Sequence, residues 1–225
     1  FALEEMKERK FHDAAALIVK TYQSYKLRSY YCDVRDTATN LLEGKKERRR
    51  LSINRVYTGD YLNYLSNAQI VEVMKQYKSD GGVLFADYFE MPVPPKLFGK
   101  TTLTRLFGLV TRKNFYLLER VKDKKQFVIK LMRKIPVEMI LEIRMSQLAD
   151  NFLVIVAAAE DLLLECQNKT EFLSLVNDIY KSHNNKDIAR VFNNQLDYQI
   201  QKGKKREIKF QLDPTGKQKL SSITS

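Results

Sequence analysis

The sequence predicts an α+β chain: a long N-terminal helix, a β-rich domain that ends in one amphipathic helix, and an added β-hairpin. Three observations carry this reading. Apolar residues recur at helical spacing through residues 1–31 with no Gly or Pro between them, short alternating apolar runs separated by turn residues begin at Val83, and the helical period returns once near 169–183. With 225 residues, 44% hydrophobic and 11% aromatic, the chain has the material for a buried core, which excludes a wholly disordered protein.

The first helix is read from Phe11, Ala15, Ile18, Tyr22, Tyr25 and Ser29, spaced by threes and fours. Periodicity leaves open whether that stripe packs on this chain's own core or on another protein. Residues 33–55 turn basic around Gly44, with KKERRR at 45–50, and a short helix follows at 68–78 before Gly81-Gly82. Strands are expected at 83–91, 105–111, 114–121, 125–132, 152–158 and 161–166. Val137, Met139, Leu141, Ile143 and Met145 alternate with charged neighbours as a further half-buried strand. A helix at 169–183 has Asn168 and Glu171 spaced as an N-cap and its reciprocal partner, with Phe172, Val176 and Ile179 on one face. Leu196, Tyr198 and Ile200, then Ile208, Phe210 and Leu212, form a hairpin around Lys202-Gly203-Lys204, and residues 213–225 read as a frayed tail. Seven strands followed by one helix is the element order of a pleckstrin-homology-like β-barrel.

Charge narrows the function classes. Lys and Arg total 39 against 27 acidic residues, a net +12, which favours a membrane surface, a nucleic acid or an acidic protein as partner. Residues 96–134 hold twelve basic residues against Glu119 and Asp123, whereas 135–168 hold Arg144 against six acidic ones, so the domain is expected to be electrically two-sided. In an antiparallel meander the loop at 92–104 and the turn at 122–125 fall at one end, which would gather Lys96, Lys100, Arg105, Lys122, Lys124 and Lys125 there. The longest apolar run, 152–159, is far short of the roughly 20 residues of a spanning helix, so membrane contact is expected to be peripheral. Two cysteines, Cys32 and Cys166, suggest neither a disulfide framework nor a zinc site and fit a reducing cytosol. His12 and His183 have no nucleophile partner readable from the sequence, and there is no phosphate-binding GxxxxGK[ST] loop, so no catalytic residues, metal site or cofactor are expected. RRRLS at 48–52 has the form of a basophilic-kinase substrate with Ser52 as acceptor. Phe107, Phe115 and Tyr116 among basic residues keep nucleic acid open as a less favoured partner, although barrel core is their simpler role. A basic β-domain that binds a protein partner also remains open.

Two blocks carry a family resemblance: FALEEMKERKFHDAAALI at 1–18 and GKKERRRLSINRVYTGDYL at 44–62. They resemble, in order, the helix by which a class I myosin head runs into its lever and the start of the tail homology 1 domain. The chain then reads as a fragment beginning at Phe1 rather than Met, divided into a lever helix with one IQ-like site (1–31), a basic linker with the start of the tail domain (32–82), a pleckstrin-homology-like barrel (83–185), and a terminal hairpin and tail (186–225). The resemblance implies an IQxxxRGxxxR frame on Ile18, Val19, Gln23, Ser24 and Arg28, with Tyr22 and Tyr25 as further anchors. Val19, Gln23 and Ser24 depart from the frame's Gln, Arg and small residue, so a dedicated calmodulin-like light chain fits as well as calmodulin. It also implies an anionic phospholipid or phosphoinositide membrane as partner for the basic end, with Lys100 and Arg105 nearest to the family's lipid contacts. The expected setting is peripheral, at the plasma membrane or endocytic membranes with cortical actin. ATP, Mg and actin would be handled by the parent's motor head.

Overall fold

A computed structural model describes residues 2–42, 44–47, 57–93, 102–123, 126–158, 161–201, 204–212 and 218–224. Helix α1 (Ala2–Leu42) continues eleven residues past the expected end at 31, because nothing in its sequence breaks it before Gly44, which takes a left-handed φ of 68°. Residues 2–29 are exposed along the whole of their length. The helix becomes part of the domain at Tyr30, after which Val34, Ala38, Leu41 and Leu42 are buried at spacings of four, three and one. Helix α2 (Ala68–Lys75) is capped by the Asn67 side chain, which accepts from the N–H groups of Gln69 and Ile70.

Seven strands and a helix then follow in the expected order: β1 (Phe85–Val93), β2 (Thr102–Val110), β3 (Asn114–Asp123), β4 (Gln126–Pro136), β5 (Ile140–Met145), β6 (Phe152–Ala157), β7 (Leu162–Cys166) and α3 (Lys169–Asn184). A short strand not expected from the sequence, β8 (Ala189–Phe192), runs parallel to β5. The sheet has the order β4-β3-β2-β1-β7-β6-β5-β8. The expected barrel is corrected accordingly: among the described residues the ladder is open, with β4 and β8 at its edges. The physical reason lies at β5, whose two edges are filled by β6 and β8 and so cannot close on β4. The free edge of β4 is interrupted opposite the Leu117/Leu118 irregularity and carries exposed Lys130, Arg133 and Lys134, features that discourage pairing with another chain. Strands β9 (Gln195–Gln201) and β10 (Lys204–Leu212) form the expected hairpin, and β11 (Gln218–Thr224) adds a third strand where a frayed tail was expected. Tyr198, Leu196, Ile208 and Phe210 of this second sheet bury Val154 and Leu163 of the first.

Two further expectations change in detail. Residues 137–139 form a single 3-10 turn, and a register irregularity follows between Ile140 and Glu142, so Ile140 is buried while Met139 and Leu141 are exposed. Asn168 makes no side-chain cap to α3. Its Nδ2 donates instead to Asp87 at 3.0 Å, and Glu171 turns away from the helix terminus.

Phe85, Phe89, Phe115 and Phe172 build the centre of the main core, with Phe89 and Phe115 within 5.1 and 5.0 Å of the Phe172 ring centroid. Gly108 makes this cluster possible, since a Cβ there would lie 2.2 Å from the Phe89 ring. Gly108→Ala is therefore expected to destabilise the domain by about 1–3 kcal/mol through overpacking. Gly82→Ala, which meets nothing within 4 Å, should be near neutral. Urea unfolding of both variants tests the contrast; equal midpoints would contradict the packing argument.

Candidate functional site

Three regions bear on function, and the first is the exposed arm of α1. Ile18, Val19, Tyr22 and Tyr25 are 53–68% exposed, and Gln23, Ser24 and Arg28 are exposed beside them. Packing of this stripe on the chain's own core, which the periodicity allowed, is therefore not what the helix does. Nine residues separate Tyr25 from Val34, about two and a half helical turns. Tyr25, with Ile18 and Tyr22 on its side of the helix, thus points away from the direction of Val34, whereas Val19 and Gln23, each about three turns before Tyr30 and Val34, lie in phase with the docking face.

The second region is the junction where α1 enters the domain. Glu171 of α3, itself fully buried, accepts from the Tyr30 hydroxyl at 2.9 Å, from the Gly59 N–H at 3.0 Å and from the Tyr61 hydroxyl. Burial raises the Glu171 carboxyl above its ordinary range despite these donors, and burial together with the Glu171 charge pushes both tyrosines up. Tyr31 stacks on Tyr57 at 5.5 Å. Beyond the helix end, Lys46 and Lys169 both reach Asp150 Oδ1, at 3.2 and 3.5 Å, while the Ser146 hydroxyl donates to the other carboxylate oxygen. Lys46 also donates to the Ser146 and Leu148 carbonyls, and Lys169 to the Asp150 and Phe152 carbonyls. A cavity of about 200 Å³ lies alongside, lined by Tyr31, Arg35, Leu42, Lys46, Tyr57 and Lys169 among others. Two ammonium groups share one carboxylate, so burial and the neighbouring Lys46 push the Lys169 amine down to about 7.

The third region is the loop end of β1–β4. Among the residues expected there, Lys96, Lys100, Lys124 and Lys125 lie outside the described residues, as does Ser52. Arg105 and Lys122 are described and exposed. Arg105 stacks over Tyr88 at 4.1 Å, and Lys122 stands opposite Phe127 in the β3–β4 register. The strand directions put the hairpin ends Val93/Thr102 and Asp123/Gln126 at one end of the sheet and the turn holding Arg112 and Lys113 at the other, as the meander implied. Tyr88, Leu103, Arg120 and Phe127 join this end without having been singled out in the sequence. Only the cross-strand register brings them together, and the signal available beforehand was the Arg-aromatic composition of the hairpin flanks. Phe115 and Tyr116 are fully buried, in keeping with a core role. Among the described residues no group of His, Cys, Asp and Glu could hold a metal, and no helix is long and apolar enough to cross a membrane.

The Lys169 arrangement has a pH signature. An amine whose folded value lies below its ordinary one binds fewer protons folded than unfolded, so stability rises with pH between about 7 and 10. Relative to Lys169→Met, the unmodified chain should gain on the order of 1 kcal/mol per pH unit at most over that window. Urea midpoints at pH 7, 8 and 9 for both proteins measure this; parallel profiles would remove the shared-carboxylate account.

Comparison with known proteins accords with the sequence blocks. Residues 48–225 match the family described as unconventional myosin tail, actin- and lipid-binding. The chain is 31% identical over 210 residues to myosin heavy chain IB of Acanthamoeba castellanii, which covers 93% of this chain and 18% of that protein. It is likewise 31% identical to myosin IC heavy chain of the same organism and 27% identical to myosin IB heavy chain of Dictyostelium discoideum, in each case spanning 18% of the relative's length. Among solved structures, the hSac2 domain from human phosphoinositide phosphatase Sac2 aligns over 59% of this chain at a TM-score of 0.42 and 9% identity, too low for any argument. The matched region is tail and not motor head, and the chain belongs to the class I myosins as a tail homology 1 domain.

Proposed function

We propose that this chain is the membrane-anchoring tail and light-chain-binding neck of a single-headed actin-based motor. In this reading the parent's head supplies ATP hydrolysis with Mg and the contact with actin. A calmodulin or calmodulin-like light chain clasps α1 at Ile18, Val19, Tyr22, Gln23, Ser24, Tyr25 and Arg28. An anionic phospholipid or phosphoinositide surface meets the basic loop end, with Arg105 and Lys122 joined by Lys96, Lys100, Lys124 and Lys125. The pleckstrin-homology-like element order supports the second assignment. The observation that carries the reading is the exposure of α1: residues 2–29, which hold every residue of this site, are exposed, and the contacts with the domain begin at Tyr30, so a light chain and the tail would occupy successive lengths of one helix.

Two experiments test it. Incubated with calmodulin, the chain should form a one-to-one complex that Tyr22→Ala together with Tyr25→Ala weakens, read by size exclusion with light scattering. If neither calmodulin nor any EF-hand protein from native cytosol associates, with or without calcium, the neck assignment fails. For the lipid surface, charge reversal of Arg105 and Lys122 should release the chain from vesicles containing phosphatidylserine, because each basic residue at an anionic leaflet contributes about 1 kcal/mol. Reversal of Arg112 and Lys113, at the opposite end of the sheet, changes the charge equally and should matter much less. Equal losses from the two variants would leave only diffuse attraction. No loss from either would favour a protein or nucleic-acid partner.

A further inference from the structure

The face of the β1–β4 sheet that carries Arg105 is apolar as well as basic. In the β1–β2 register Pro92, Glu90 and Tyr88 oppose Leu103, Arg105 and Phe107, and along β2 these alternate positions share one face with Leu109. Leu109 is paired with Tyr116 and Phe107 with Leu118, which brings Arg120 and Lys122 of β3, then Ile129 and Phe127 of β4, onto the same face. Helix α2 covers the lower part of that face: Ile70 and Met74 bury Leu109, Tyr116, Leu118 and Ile129. Beyond α2 the cover stops. Leu103 is 51% exposed and Phe127 50%, although each lies in a strand continuous with the buried residues.

The basic groups are interleaved with these apolar ones. Arg105 lies over the Tyr88 ring at 4.1 Å and Arg120 over the Phe127 ring at 4.4 Å, and Lys122 is directly across from Phe127. Within β1–β4 Glu90 is the one carboxylate at the described positions of the face, and Glu165 of β7 stands directly across from it. The β2–β3 ladder also ends at Leu106 and Glu119, so the two hairpin ends that carry Leu103 and Phe127 are not tied to each other. A surface that needed charge alone would place solvated lysines at these positions. Two large exposed side chains between cations instead match an environment that is anionic outside and apolar a few ångströms within.

We propose that this face inserts into an anionic bilayer, with Leu103 and Phe127 at the boundary between headgroups and acyl chains and Arg105, Arg120 and Lys122 among the phosphoryl groups. The inference rests on the lipid-surface reading and adds to it the depth and the apolar part of the contact. Interfacial insertion removes apolar area from water as well as neutralising charge. Association should therefore retain a part that salt does not screen.

The chain contains no Trp, so a single substitution gives a clean reporter. Phe127→Trp should shift its emission to the blue on adding vesicles of phosphatidylcholine with phosphatidylserine, whose anionic surface attracts basic residues, and should be quenched by bromine-labelled acyl chains. Met139→Trp, exposed next to the turn at the opposite end, should do neither. Leu103→Ser with Phe127→Ser should weaken partitioning about tenfold at physiological salt and abolish the residue of binding that persists at high salt. Both positions are half exposed, so thermal melts should match the parent. If the parent binds and charge reversal at Arg105 and Lys122 releases it, but Phe127→Trp keeps its emission in water and the double serine variant binds like the parent, insertion is wrong while the electrostatic reading stands. If Met139→Trp shifts as much as Phe127→Trp, the face is not the contact. If no variant and no parent binds vesicles, both readings fall together, and binding to an acidic protein at the same residues becomes the account of the face.

Discussion

The carboxylate of Glu171 is the point on which the attachment of α1 to the domain depends. Its two oxygens gather a hydroxyl from α1 and, from one segment before β1, the Tyr61 hydroxyl and the Gly59 N–H, so one buried charge on α3 fixes two other stretches of chain. A buried carboxylate is tolerated only when its lone pairs are filled, and each donor is held in place because withdrawing it would leave the charge less satisfied. The same logic is repeated nearby at Asp150, which ties the turn after α1 to the β5–β6 connection and to the start of α3. Helix α1 therefore does not hang from the domain by its apolar residues alone. Val34, Ala38, Leu41 and Leu42 supply burial, and the two carboxylates supply direction.

Local order was legible in the sequence to the extent that it depends on neighbours. The strand-rich middle, the amphipathic α3 and the β9–β10 hairpin follow from period and turn residues, and the opposite ends of the meander follow from counting turns. What the sequence hid depends on distant partners. Asn168 and Glu171 have the spacing of a capping box, but Asp87 and Tyr30 compete for them from far along the chain and win. Met139 and Leu141 alternate correctly for an inward strand, yet one 3-10 turn and a register irregularity change the phase and put Ile140 inside. Strand β8 is only four residues long, too short for its period to stand out. The stacking of Arg105 on Tyr88 needs a register that no local pattern contains. The stripe on α1 was ambiguous for the same reason, since spacing shows a face and not what covers it.

Charge counting also misled in an instructive way. Lys46 and Lys169 count toward the basic excess and Asp150 toward the acidic stretch, but all three are buried against one another and contribute little to the surface. The acidic side of the domain is accordingly weaker than its composition implies. The basic side keeps its strength, because Arg105, Arg120 and Lys122 stay exposed on the strands.

The positions of the two carboxylates and of the loop end set a mechanical argument. Gly59 and Tyr61, which hold Glu171 and thereby α1, also bond to Ala86 at the start of β1: the Ala86 N–H donates to the Gly59 carbonyl, and the Tyr61 N–H to the Ala86 carbonyl, both at 2.7 Å. The other end of β1, at Val93, is where the first hairpin reaches the basic and apolar face. Seven residues of one strand separate them, about 23 Å at the usual rise. A strand paired on both sides, by β2 along its length and by β7 at Phe89 and Glu90, is among the stiffest elements a small domain can offer. A load applied at the hairpin end thus reaches the helix through paired backbone and a buried carboxylate, with no glycine hinge between Ala86 and Val93 to absorb it. The physical consequence is that the Val93 end of β1 and the docked part of α1 are joined through paired backbone and a buried carboxylate, while residues 2–29 of α1 project from that junction exposed.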